Sequence, residues 1–186
     1  TGYGLWDTGG ARLEAIFGQV MGCEDALVRS QFMSGTHTLA VALFGLLRAG
    51  DTLLAGTGRP YDTLEGVIGI EGKGEGTGTL TDYGVRYEEV PLKPDFTPDY
   101  EAIAAAAPRA KVCHIQRSRG YLQRNAFSLD TIRKVAEAAR STNPGIIVFV
   151  DNCYGEFTQT AEPSQPGADL MAGSLIKNPA RGIAPT

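Results

Sequence analysis

The sequence is poor in cysteine and histidine and has no long apolar run. Its three cysteines, Cys23, Cys113 and Cys153, lie far apart with no CxxC pair. That excludes a disulfide framework and a cysteine-rich zinc site, and predicts a reducing, cytoplasmic setting. The two histidines, His37 and His114, are isolated from one another, so no metal is expected. The longest apolar stretch, residues 39–47, is too short to span a bilayer and reads as a buried helix. Net charge is −4 with no lysine or arginine run, which argues against nucleic acid or an anionic membrane as the main partner. The opening Thr1-Gly2-Tyr3-Gly4 has none of the features of a signal peptide.

What remains is an ordinary globular composition, 42% hydrophobic and 20% charged over 186 residues, enough for one domain with a real core. Apolar residues at helical spacing predict an amphipathic helix over 11–21, and further helices are expected over 36–48, 62–70 and 100–107. Ser128 caps another, with Leu129, Ile132, Val135, Ala136 and Ala139 inward; Asn143-Pro144-Gly145 ends it. Strands are expected over 26–32, 52–55, 85–92, 111–116 and 169–174. Residues 146–150 form a continuous apolar run, which marks a strand buried on both faces. Strands alternating with helices predict an α/β fold with a mostly parallel sheet flanked by helices.

Three features carry chemistry. Asp151 follows the buried strand directly, and in a parallel sheet the carboxyl ends of strands face the ligand crevice. Lys177 follows the last strand; a lysine alone reads as a solvated surface group, but at such an edge it can be held neutral and nucleophilic. Ser34-Gly35-Thr36-His37 stands between a strand and an apolar helix, where a helix N-terminus can receive an anion. Together they offer an anion cradle, an acid for a ring nitrogen and an amine, which is what pyridoxal 5′-phosphate (PLP) requires. Tyr61 can stack on a ring face or simply pack at a helix start. The alternating Gly72, Gly74, Gly76 and Gly78 are not preceded by the strand that a dinucleotide fingerprint needs and read as a flexible loop.

The segments LVRSQFMSGTHTLAVALFGLLRAGD, GRPYDTLEGVIG, IQRSRGY, IIVFVDNCYGEF and ADLMAGSLIKNP resemble the methionine γ-lyase-like family of PLP enzymes, also known as aluminium resistance proteins. The resemblance runs in order along nearly the whole chain. It implies the aspartate-aminotransferase superfold, a homo-oligomer with active sites at subunit interfaces, and β- or γ-elimination of a carbon–sulfur bond in a small amino acid. It makes Lys177 the Schiff-base lysine and Asp151 the partner of the pyridine nitrogen. Ser34, Gly35, Thr36 and Ser174 match phosphate contacts, and Tyr61 matches the stacking aromatic. Arg117 and Arg119, whose guanidiniums suit planar anions, and Tyr3 are candidates for binding phosphate or substrate.

Two departures stand out against that pattern. Gly10 occupies the place of a family arginine, and Pro179-Ala180-Arg181-Gly182 replaces a glycine run. Residues 1–186 are therefore expected to be an incomplete large domain without the C-terminal small domain, poorly active alone. The other reading is an inactive fragment with a binding or assembly role.

Overall fold

The computed structural model describes residues 8–179. Five parallel strands form one sheet in the order β2-β1-β3-β4-β5. They are β1 (Thr52–Ala55), β2 (Arg86–Glu89), β3 (Val112–Gln116), β4 (Ile147–Asp151) and β5 (Leu170–Ala172). The helices are α1 (Thr8–Met21), α2 (Gly35–Leu46), α3 (Asp62–Ile68), α4 (Tyr100–Ala106) and α5 (Leu129–Thr142). No helix among the described residues is long and apolar enough to cross a membrane.

Alternation along each strand divides the core in two. Leu54, Cys113, Ile115, Val148 and Val150 face Ile103 of α4 and Ile132, Val135, Ala136 and Ala139 of α5. Leu53, Val112, Phe149 and Ala172 face Leu39 and Leu43 of α2 and Leu64 and Ile68 of α3. Both faces are covered, so β4 needs apolar residues at every position but the last. Ser128 caps α5 as expected, its hydroxyl accepting the Thr131 N–H.

Several boundaries differ from the sequence expectation. Residues 26–32 form no strand, because their polar groups are engaged by α1. Glu14 accepts the Val28 N–H at 3.0 Å and pairs with the Arg29 guanidinium. The same contact turns α1 so that Glu14 is buried while Leu13, Ile16 and Val20 are 41%, 48% and 56% exposed. The strand expected over 85–92 is confined to β2: the Val90 N–H still reaches the Ala55 carbonyl, but Pro91 has no N–H to continue the ladder. The last strand stops at Ala172, and two residues on the Ser174 N–H donates to the Glu156 carboxyl. In the glycine-rich loop, Asp82 accepts the N–H groups of Gly76, Gly78 and Thr79. Those donors serve the loop itself and not a phosphate.

Phe149 is fully buried between the sheet and α2, edge-on to His114 with centroids 5.7 Å apart. Phe149→Ala should destabilise the chain by about 3–5 kcal/mol, measured by urea unfolding followed by circular dichroism.

Candidate active site

Five strands running one way bring their carboxyl ends to one rim, and the order changes direction between β1 and β3. In open α/β sheets ligands bind at such a point. Asp151 ends β4 with 2% of its surface exposed. It lies in register with Gln116 of β3 and Ala172 of β5. Its Oδ1 accepts the Cys153 N–H at 3.0 Å, and its carbonyl accepts the Arg117 N–H.

Tyr61 precedes α3 and is held at two points. Its N–H donates to Gln116 Oε1 at 2.8 Å, and its hydroxyl shares a 2.9 Å hydrogen bond with Thr36 Oγ1. Burial pushes the Tyr61 phenol up to about 12, helped by the nearby Asp151 and opposed by the Thr36 bond. Gln116 is itself fixed, its N–H donating to Thr57 Oγ1 just past β1.

α2 begins at Gly35, with Ser34 Oγ accepting the His37 N–H. The first turn carries no acidic side chain, so its positive end is left uncompensated. A Cβ on Gly35 would stand 3.2 Å from Cys153 Sγ, 3.4 Å from Ser174 Cβ and 3.7 Å from Lys177 Nζ. Side chains from beyond the β4 and β5 ends therefore meet against the helix start, and a side chain at Gly35 would crowd Cys153 Sγ. The Lys177 amine also lies 5.0 Å from the centre of the Tyr154 ring. Ser174 Oγ is buried with no hydrogen-bond partner, an orphan of the kind a bound anion would satisfy. A cavity of about 530 Å³ takes in Ser34, Gly35 and Ser174, but its lining does not include Lys177, Asp151 or Tyr61.

The fold thus gathers Lys177, Asp151, Tyr61, Gly35, Thr36 and Ser174, while Ser34 spends its hydroxyl on the cap. Arg117 is placed elsewhere. Its side chain is buried, donating to the Phe127 and Gly155 carbonyls, Asn152 Oδ1 and Gln159 Oε1 beside the Glu162 carboxylate. It braces the protein interior and has little left to offer an anion. Arg119 is exposed on the loop after β3, beside a second cavity that also reaches Asp95 and Tyr100. Tyr3 lies outside the described residues, as does Arg181.

Residues not expected from sequence complete the surroundings. Cys153 is buried among these groups, and burial, reinforced by Asp151, pushes its thiol far up. His114, two positions before Gln116 on the same strand face, is buried with Nε2 unpartnered. Burial lowers its pKa against the opposing pull of Asp151. Arg124 is buried against Phe127, and desolvation takes its pKa down to about 10. His114 and Gln116 were accessible to a period-two reading of β3, which puts two polar side chains on one buried face. Among the described residues no group of His, Cys, Asp and Glu side chains could hold a metal ion.

This winding, with an acid, an amine and a helix start at its rim, is that of the large domain of PLP-dependent transferase-like proteins. The PLP-dependent protein YhfS of Escherichia coli has the same fold over 87% of this chain and 38% of its own, at TM-score 0.62 and 18% identity; that likeness concerns the fold alone. The chain belongs to the methionine gamma-lyase family, whose model matches residues 1–186. It is 52% identical to the uncharacterised protein YnbB of Bacillus subtilis, covering 100% of this chain and 44% of that one. A carbon-sulfur lyase involved in aluminium resistance from Clostridium novyi is 44% identical, at TM-score 0.89 over 95% of this chain and 42% of that one. A candidate cystathionine beta-lyase involved in aluminium resistance from Listeria monocytogenes is 48% identical, at TM-score 0.92 over 99% of this chain and 46% of its own. The chain thus spans under half the length of these relatives.

The Tyr61–Thr36 contact ties α3 to α2 across the rim. Tyr61→Phe and Thr36→Val should each cost about 1 kcal/mol, and the double variant clearly less than their sum. Urea denaturation of the four proteins in the cycle measures both.

Proposed function

We propose that this chain is the cofactor-binding core of a PLP-dependent lyase that cleaves a carbon–sulfur bond in a small sulfur-containing amino acid. The observation that carries this reading is the meeting of the Lys177 amine, Ser174 and Cys153 against Gly35 at the start of α2. Family membership supports it, as does the naming of similar proteins as carbon–sulfur or cystathionine lyases.

The residues suit the cofactor at each of its ends. Lys177 supplies the amine for its aldehyde. Asp151, buried and oriented by the Cys153 N–H, suits a protonated ring nitrogen. Tyr61, anchored by Gln116 and Thr36, offers an aromatic face. Gly35, Thr36 and the orphaned Ser174 hydroxyl suit the phosphate, with the α2 N-terminus adding positive potential. When bound, PLP supplies an electron sink for the substrate α-carbon. Lys177 Nζ would be the base for the α-proton of a substrate held there. Asp151 would hold a proton at the ring nitrogen, and the reaction class would include loss of the sulfur substituent from the β or γ carbon. Arg119 remains the candidate for a substrate carboxylate, and Arg117 is dropped because its guanidinium is used internally. A homo-oligomer belongs to the same proposal, with the apolar outer face of α1 available to cover.

With PLP added, the wild-type chain should acquire a visible absorption band and, after borohydride, a stable mass increase on Lys177. Lys177→Ala should show neither. Asp151→Ala should weaken PLP binding about ten- to hundredfold, the scale of a lost charged hydrogen bond. A band retained in Lys177→Ala would refute the assignment. A folded wild type that acquires no band would favour the inactive, assembly-only reading.

A further inference from the structure

The loop after β4 holds a buried acid that the proposed chemistry does not use. Glu156 is 2% exposed. Its Oε1 accepts the Ser174 N–H at 2.5 Å, and its backbone carbonyl accepts the Asn178 side-chain amide. Between those two points the chain makes a tight turn, the Lys177 and Asn178 N–H groups both donating to the Ser174 carbonyl. One residue thus grips both ends of the turn that carries Ser174 and Lys177.

The grip requires an open approach and a rigid base. A Cβ on Gly173 would sit 2.7 Å from Glu156 Oε1, so a larger residue there would drive the carboxyl away. The base is the 152–158 loop. Tyr154 and Phe157 hold left-handed backbone angles in it, φ 71° and 58°, which cost energy in residues with side chains. Surrounding bonds fix it: Arg117 Nη1 donates to Asn152 Oδ1 and the Gly155 carbonyl, and Glu162 accepts from Asn152 Nδ2 and the Phe157 N–H.

We propose that Glu156 is a positioning residue that clamps the Gly173–Asn178 turn and thereby aims the Ser174 hydroxyl and the Lys177 amine into the site. The consequence for cofactor binding rests on the PLP reading; the clamp itself does not. Glu156 Oε2 is buried with no donor opposite it, and a carboxylate oxygen left bare in the interior is expensive. The ionisable groups around it are Asp151, Cys153, Glu162 and Arg117. Burial raises its pKa, the Ser174 N–H opposes that shift, and Asp151 and Glu162 add to it. Burial thus opposes ionisation of Glu156, while its Oε1 does the holding. An acid with a raised folded-state pKa contributes its stabilisation at low pH and loses it as pH rises through that pKa. The turn should loosen accordingly on the alkaline side.

The test compares wild type with Glu156→Gln, which keeps a neutral acceptor, and Glu156→Leu, which keeps volume alone. The first readout is exchange of the Ser174 amide hydrogen, corrected for intrinsic rate, across a pH series. Glu156→Gln should stay protected and lose the wild-type decline with pH, while Glu156→Leu should exchange at least roughly tenfold faster, as for one lost hydrogen bond. The second readout is the yield of borohydride-fixed PLP on Lys177, retained in Glu156→Gln and reduced in Glu156→Leu. Wild-type protection of Ser174 in Glu156→Leu would overturn the clamp, as would equal loss in Glu156→Gln. If Glu156→Leu does not fold, Gly173→Ala takes its place, since its Cβ would stand 2.7 Å from Glu156 Oε1: wild-type protection of the Ser174 amide in that variant overturns the clamp. A wild type that takes no PLP refutes the cofactor reading while the exchange data continue to judge Glu156.

Discussion

The pairing of β3 with β4 is the contact on which the rest of this structure depends. It joins five residues on each side, from Val112 opposite Ile147 to Gln116 opposite Asp151. On one face it packs Cys113, Ile115, Val148 and Val150 against α4 and α5. On the other it places His114, Gln116, Phe149 and Asp151 beneath α2 and α3. A slip of one residue would turn over the faces of one strand, sending either Asp151 or His114 into the apolar layer under α5. The register that builds the core is therefore the register that builds the rim. Asp151 can be buried because the turn just after β4 brings the Cys153 N–H to its carboxyl, and Tyr61 is held because β3 presents Gln116.

The sequence displayed this sheet well wherever burial was complete. Residues 146–150 read as a doubly covered strand because each side chain meets a different helical layer, and α5 read clearly because its inward positions repeat at helical spacing behind a serine cap. Legibility failed where long-range polar contacts decide. Nothing local in residues 26–32 shows that Glu14 will take the Val28 N–H and the Arg29 guanidinium. Nothing local in residues 172–174 shows that a carboxyl from another loop will take the Ser174 N–H. The apolar stripe of α1 has helical spacing, but spacing specifies only that one face differs from the other, and here Leu13, Ile16 and Val20 face outward.

The candidate site divides the same way. Asp151 stands out as a candidate because strand ends in a parallel sheet are ligand-facing by geometry, and Gly35 because it opens a helix; Lys177 lies five residues past the end of β5. Arg117 was misread for a reason general to guanidiniums: the five donors that suit a planar anion suit carbonyls and amide oxygens equally well. The loop after β4 supplies those acceptors in Asn152, Gly155 and Gln159. Its contact with Glu162, 3.7 Å away with both side chains about 5% exposed, is a buried pair whose net worth is small but whose halves cannot be removed singly.

That pair bears on the charge balance of the site. Asp151, Glu156 and Glu162 are three acids within one buried region, and Arg117 is the cation that interacts with both glutamates. Arg117 settles Glu162 through direct proximity. Glu156 lacks a cation of its own, accepts only a neutral N–H, and is driven toward its protonated form. Asp151 is then the acid left facing the rim, beside the Lys177 amine and the α2 N-terminus, with an amide N–H on one oxygen. A cationic ring nitrogen entering there would meet an oriented carboxylate with no competing guanidinium. Had Arg117 pointed to the rim, it would have paired with Asp151 and left the buried Glu162 with only the neutral donors Asn152 Nδ2 and the Phe157 N–H. Its inward turn stabilises the loop and leaves the Asp151 side chain without a guanidinium partner.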